Sequence, residues 1–179
     1  MNTSQIERIL KGENLFQGVF SSDTLPTNPR LLVCNTDPST KPGQHWIAIH
    51  VDANGRGEYF DSFGRRPNEH FELYMNNNCS VWTFNKRQLQ SIISSFCGFY
   101  CCVYCKLRSR GHDMTKIVNS FTNDTGFNDV LVHRLLCNKW WKNPPMFVCL
   151  PTSIENKYFI PLGHFIIQIK QQILHMIVK

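Results

Sequence analysis

Four side chains, far apart in the chain, carry the types that thiol-based acyl transfer needs: His45, Asp61, Gln90 and Cys97. A thiol attacks as its thiolate. Imidazole can take the thiol proton and later return it to a leaving amine. A carboxylate can orient the imidazole and stabilise its charged form. A side-chain amide can donate to a developing oxyanion, beside the backbone N–H of the cysteine itself. Gln88 is a second candidate for that amide, because spacing alone allows a two-residue shift.

These residues can act only if the local elements bring them together. Phe96, Phe99, Tyr100, Val103 and Leu107 recur at helical spacing and predict an amphipathic helix. Ser94 and Ser95 stand ahead of it as N-cap candidates. Cys97 then falls in the first turn, where unpaired N–H groups and the helix dipole favour a thiolate. Gly98 adds no side chain that would crowd a substrate. The alternative for Cys97 alone is a small buried apolar residue, as most helical cysteines are.

His45 opens a β-branched run, His45–Asp52. Turn chemistry at residues 53–57, centred on Asn54-Gly55, leads into a return strand, Glu58–Phe63. Residues 45–63 thus predict a hairpin. His45 and Asp61 share parity, so one face of the sheet can hold both. A simple five-residue loop would set Asp61 beside Ile49, so contact with His45 needs a bulge or a tighter loop. His50 has the opposite parity and reads as structural. Asp52 and Glu58 flank the turn and read as solvated.

The rest of the chain fills in around this unit. Residues 4–11 predict a short helix, and Phe16, Val19 and Phe20 lie in a loop-like stretch. Leu31–Cys34 is a short buried strand. Residues 66–78 suggest a short helix, Cys79–Phe84 a strand, and 114–120 and 127–136 two further helices. Phe147–Leu150 could be a strand, and Ile166, Ile169, Ile173, Leu174 and Ile177 trace an amphipathic terminal helix.

The 179 residues suit one domain, 1–179, and 42% are apolar, enough for a globular core. No run of 18 apolar residues exists, so no membrane span is expected, and the first residues lack a secretory core. Eight cysteines then read mostly as reduced thiols. The pairs Cys101/Cys105 and Cys102/Cys105 have no matching second Cys or His pair, so no metal site is expected. The net charge is +6, with basic clusters at Lys86–Arg87, at Lys106, Arg108 and Arg110, and at Lys139 and Lys142. Solvated faces explain such clusters by default; polyanion binding is permitted.

Specific motifs narrow this further. His45-Trp46, the segment Tyr59-Phe-Asp-Ser-Phe-Gly64, Gln90, and Cys97-Gly-Phe-Tyr-Cys-Cys102 resemble the adenovirus-type cysteine proteases, the adenain group. These belong to the clan that also holds the SUMO- and ubiquitin-like-specific proteases. The order His, acid, Gln, Cys is that clan's, and the seven-residue step from Gln90 to Cys97 is similar to the adenain spacing. Adenain has Glu where this chain has Asp61. Asn14–Phe20 and Leu31–Thr36 extend the likeness, which covers about residues 5–135; residues 136–179 match poorly and are expected to complete the domain. Similar proteases occur in Polinton/Maverick elements and related viruses.

The resemblance implies an α+β fold: a central, mostly antiparallel sheet flanked by helices, with the nucleophile at the N-terminus of a packed helix. The local reading agrees. It further implies Cys97 as nucleophile, His45 as base, Asp61 as orienter and Gln90 as oxyanion donor, with Trp46 and Gly98 against the substrate. Cys79 lies eleven residues before Gln90, at the spacing of an adenain cysteine that forms a disulfide with an activating peptide. A packed strand cysteine is the plainer alternative. DNA is a further adenain cofactor. Expected substrates are viral capsid or core precursors, cut at small-residue, glycine-containing sites by a monomeric enzyme in the virion or in the host nucleus or cytoplasm. The rivals are an isopeptidase for ubiquitin-like proteins, a silent nucleic-acid- or capsid-binding protein, and an acyltransferase.

Overall fold

The computed structural model describes residues 1–137. Five strands form one sheet in chain order: β1 (Phe16–Ser21), β2 (Leu31–Asn35), β3 (Trp46–Val51), β4 (Arg56–Phe60) and β5 (Val81–Phe84). The expected α+β class and helix-flanked sheet hold. The central pairings, β2 with β3 and β3 with β4, are antiparallel. Both edges differ, because β1 joins β2 in parallel and β5 joins β4 in parallel. The sheet is therefore mixed rather than mostly antiparallel. Phe16–Phe20 belongs to strand β1, not to a loop: the chain returns after it and runs beside Leu31–Asn35 in the same direction.

Period-2 alternation splits the strand side chains between two cores. Leu31, Val33, Ala48 and Phe60 face one of them, with the helices α1 (Thr3–Leu10), α3 (Cys97–Ser109), α4 (Met114–Asn119) and α5 (Thr125–Cys137). Leu32, Cys34, Ile47, Ile49 and Tyr59 face the other, closed by Phe71 and Met75 of α2 (Glu69–Asn78). All five residues of β2 are buried, as expected for a strand covered on both faces.

The helix α3 is the centre of the larger core. Tyr100 to Leu107 are buried on every side, not along one stripe. A helix apolar all round is an interior helix. Two ion-pair groups fix it. Glu58 of β4 accepts from Tyr104 Oη at 2.6 Å, from Arg108 Nε at 2.7 Å and from the Met114 backbone N–H at 3.2 Å. Glu13 takes Lys106 Nζ at 2.6 Å and Arg110 at 3.5 Å. Glu58 is thus a tether rather than a solvated turn residue, and the basic run Lys106, Arg108, Arg110 is spent inside the fold. Asp52 is structural as well, because its carboxylate accepts from the Asn54 and Arg56 backbone N–H groups and shapes the hairpin loop.

Among the described residues no helix is long and apolar enough to cross a membrane. The expected strand at 147–150, the terminal helix and the cations Lys139 and Lys142 lie outside the described residues.

Candidate active site

The hairpin register sets the first contact. Ala48 pairs with Phe60 and Val51 with Gly57, so Asp61 continues beside Ile47, two residues nearer His45 than a five-residue loop would put it. A diagonal neighbour on the same face is then within reach of a long side chain. His45 Nε2 meets Asp61 Oδ1 at 2.8 Å. The carboxylate is 5% exposed and the imidazole 18%.

Asp61 is held by more than its strand. Its Oδ1 also accepts the Phe63 backbone N–H at 2.8 Å, and Gly64 N–H closes the turn onto Asp61 O at 2.8 Å. Gly64 has φ +68°, and a Cβ there would stand 2.6 Å from the Arg87 carbonyl carbon, so glycine is required on both counts. Asn85, just past β5, clasps the Asp61 backbone from the side. Its Oδ1 accepts Asp61 N–H at 2.8 Å and its Nδ2 donates to Asp61 O at 2.7 Å. The turn also brings the Phe63 ring to 5.2 Å from the His45 ring, and the Arg65 guanidinium lies over the Phe63 ring at 4.8 Å. Sequence reasoning missed Asn85 and Phe63. Phe63 lay in the matched segment Tyr59–Gly64, but an asparagine after a short strand carries no periodic signal.

Cys97 is the first residue of α3, as its spacing predicted, and is 7% exposed. The cap differs from expectation: Phe96 is the N-cap and supplies no side-chain bond, while Ser94 Oγ turns back to Ser91 O. The His45 ring and the backbone N–H groups of Trp46 and Gly98 all favour the Cys97 thiolate. Because Nε2 faces Asp61, Nδ1 is the ring nitrogen left for sulfur. Burial raises the Cys97 thiol, but His45 and the two backbone donors outweigh it and hold it below its usual range. Burial likewise depresses His45, yet Asp61 and Cys97 overcome that and lift it to about 9. Both shifts favour the thiolate and imidazolium, the reactive form of a thiol. By contrast, burial raises Cys101 and Cys105 far above the usual thiol range and pushes Cys102 up to about 12.

The amide candidates separate. Gln88 is exposed, and its Nε2 donates to Gln90 O. Gln90 is fully buried. Its Oε1 accepts Ser62 Oγ at 2.6 Å and its Nε2 donates to Ser94 O at 2.9 Å and Ser94 Oγ at 3.1 Å. Gln90 thus contacts both the turn ahead of Cys97 and the residue beside Asp61, and it locks these two segments together. Trp46 and Gly98 adjoin one another, but Met1 covers them. Trp46 Nε1 donates to Met1 O at 3.1 Å, and a Cβ at Gly98 would stand 3.1 Å from Met1 Cβ and 3.3 Å from Trp46 Cδ1. Gly98 is buried, so it serves close packing over the first turn rather than an open groove.

His50 is structural, as read: it is 5% exposed and lies 3.9 Å from Glu58 at the far end of β3. Cys79 is half-buried at the end of α2, with its thiol free, and burial raises it. No group of His, Cys, Asp and Glu among the described residues could hold a metal ion.

No family model matches the chain. Over 69 residues, 37% of this chain and 25% of the relative, it is 41% identical to a cysteine protease of African swine fever virus. Over 124 residues, 63% of this chain and 39% of the relative, it is 28% identical to a protein of Acanthamoeba polyphaga mimivirus named as a thiol protease. The chain thus spans about a quarter to two fifths of the length of these curated relatives. A crystal structure of the African swine fever virus protease superposes with a TM-score of 0.52 at 19% identity, over 73% of this chain and 64% of that one, which shows a shared fold. Over part of its length the chain is thus similar to viral proteins named as cysteine or thiol proteases, and it shares its fold with the protease of African swine fever virus.

Proposed function

We propose that this protein is a cysteine endopeptidase in which Cys97 is the nucleophile, His45 the general base and acid, and Asp61 the orienting carboxylate. The observation that carries this reading is the His45–Asp61 bond, together with the mutual effect by which His45 favours the Cys97 thiolate and Cys97 the His45 imidazolium. In this mechanism the Cys97 thiolate adds to the scissile carbonyl. The imidazolium of His45 protonates the departing amine, leaving an acyl-enzyme. A water then gives its proton to His45 and attacks the thioester; the C–S bond breaks, releasing the acid and restoring the thiolate–imidazolium pair. The Cys97 backbone N–H and the Gln90 amide are the proposed donors to the oxyanion. Gln90 Nε2 would have to share a proton now given to Ser94.

The substrates proposed are viral precursor proteins cut at glycine-containing sites, as the resemblance to adenain implies. A second reading is favoured by one comparison: a relative from another isolate of African swine fever virus, 39% identical over 69 residues, is named a SUMO-1 cysteine protease. An isopeptidase would use the same chemistry on a ubiquitin-like tail. A panel of ubiquitin-type activity probes separates the two, since only an isopeptidase is labelled. Activation by DNA and by a peptide disulfide at Cys79 stays a proposal. The half-buried free thiol supports the second, whereas the internal pairing of Lys106, Arg108 and Arg110 gives the first little help.

The test is a limiting dose of iodoacetamide near neutral pH, with peptide mapping by mass spectrometry and His45→Ala as the matched control. Cys97 should be alkylated well before the other cysteines, and the substitution should abolish that preference. Equal reactivity at all sites would count against the thiolate–imidazolium pair and against the peptidase reading.

A further inference from the structure

Asp129 of α5 is a buried carboxylate, 5% exposed, with no cationic partner among the described residues. Burial raises it above its usual range. An uncompensated buried charge is costly, and an apolar side chain would seat α5 without that cost. A residue that breaks this rule points to a demand on the groups it holds.

Those groups all lie in the stretch that joins the proposed oxyanion donor to the nucleophile helix. Tyr100, three residues after Cys97, donates its Oη to Asp129 Oδ1 at 2.9 Å. Ser94 and the Ser91 backbone N–H also favour the carboxylate, against burial. Ser94 is the residue whose O and Oγ take the Gln90 amide, at 2.9 and 3.1 Å. The same Tyr100 Oη lies 3.0 Å from Leu89 O, next to Gln90 in the chain, and Asn128 Nδ2 donates to that carbonyl at 3.1 Å. A phenol has one hydrogen for these two acceptors, and the carboxylate is the stronger. Asn128 then satisfies Leu89 O. From the other side, the Leu89 and Gln90 N–H groups both donate to Ser62 O, at 2.8 and 3.1 Å. Residues 89–90 are thus clamped between the turn after Asp61 and the pair Asn128–Asp129.

We propose that Asp129 is a positioning residue for the oxyanion site, fixing the Gln90 segment relative to Cys97 through Tyr100 and the Ser91–Ser94 turn. This role rests on the peptidase reading and adds to it a residue of α5 that touches no reacting atom. A donor stabilises an oxyanion only if it is in place before the charge develops. Without Asp129 the turn and the Tyr100 hydroxyl lose their common anchor. The Gln90 amide can then drift, while the His45–Asp61 bond on the sheet side stays as it is.

The experiment takes a peptide that wild type cleaves, found in a proteome-derived library, and measures kcat, KM and Cys97 alkylation by iodoacetamide. The variants are Asp129→Ala, Tyr100→Phe, Gln90→Ala and the double variant Asp129→Ala/Gln90→Ala. Asp129→Ala should lower kcat about tenfold to a hundredfold, with KM within about twofold of wild type. Its alkylation rate should match wild type, because attack on iodoacetamide develops no oxyanion. Adding Asp129→Ala to Gln90→Ala should lower kcat little further, because the donor that Asp129 positions is already gone. Tyr100→Phe removes one hydroxyl from a filled core position and should show the same signature in weaker form, so the role is still read where Asp129→Ala folds poorly. Equal kcat in wild type and both of these single variants would overturn the positioning role alone. So would independent, multiplying losses in the double variant, or a fall in kcat matched by a fall in alkylation, since either describes general damage to the fold. No cleavage of any library peptide by wild type would overturn the peptidase reading and the positioning role with it.

Discussion

Asp61 illustrates how much positioning one carboxylate needs. It is gripped by Asn85 at its backbone, by its own Asx turn at Phe63, and by His45. Replacing it by Asn keeps the shape but removes the charge that lifts His45. The Asp61→Asn variant should lose about 10²–10⁴ in kcat, and the pH midpoint of Cys97 alkylation should move upward. The Asn85→Ala variant tests positioning without touching the reacting atoms. It leaves two buried backbone groups of Asp61 unpaired and should cost about 1–3 kcal/mol in stability, read by denaturant titration. Its kcat should fall while KM for peptides holds.

The pH dependence follows at the same scale. Cys97 is held below its usual range, so the onset of hydrolysis should lie at lower pH than the titration of an ordinary thiol. His45 must carry a proton to release the amine, and its folded value is about 9. Hydrolysis should therefore fall as pH rises through about 9, whereas alkylation, which needs only the thiolate, should reach a plateau. Parallel loss of both rates at high pH would contradict these assignments.

At the scale of elements, the site depends on how α3 is seated. Glu58 ties β4 to Tyr104, Arg108 and the start of α4. Its side chain is 14% exposed, so solvent screens the ion pair only weakly. The Glu58→Ala variant strands a guanidinium and a phenol, and should destabilise by about 3–5 kcal/mol in chemical denaturation. The Cys97 side of α3 is held instead by the turn at residues 91–94 and its Gln90 clamp, so truncating Gln90 should disorder the nucleophile as well as remove a donor. Much of this level could be read from the chain. The hairpin, α2, β5 and the start of α3 at Cys97 followed from periodicity and turn chemistry. The strand β1 did not, because an edge strand with Gly18 at its centre, pairing in parallel, shows no clean alternation. Nor did the all-round burial of α3, since cysteine and tyrosine do not identify a face.

Across the whole molecule, the two ends of β3 do different work. His45 at one end is held protonated; His50 at the other is kept neutral. Burial, reinforced by Arg108, pushes His50 down to about 4, although Glu58 and Asp52 pull the other way. Between about pH 6.5 and 4 the unfolded chain takes up a proton there that the native state refuses. Its contribution to stability is therefore complete above that window and lost as pH falls through it. The difference is on the order of 3 kcal/mol. His50→Gln should flatten the acid limb of the stability curve relative to wild type; an unchanged slope between pH 6.5 and 4 would refute this.

The sequence alone determined the residue types, their order and the element that bears each one. His45 stands just before a strand, Asp61 just after its partner, and Cys97 begins a helix, because strand alternation, turn chemistry and helical spacing are local properties of the chain. Only the tertiary structure decided which of them meet. A register two residues tighter than the simple loop brought Asp61 to His45. The parallel edges of the sheet placed Asn85 beside Asp61, and the packing of α3 set its first turn against the start of β3. It also placed Met1 over Trp46 and Gly98 and turned the basic run of α3 inward. These outcomes depend on contacts between residues tens of positions apart, whose geometry is set by the shared core and leaves no periodic trace in the chain.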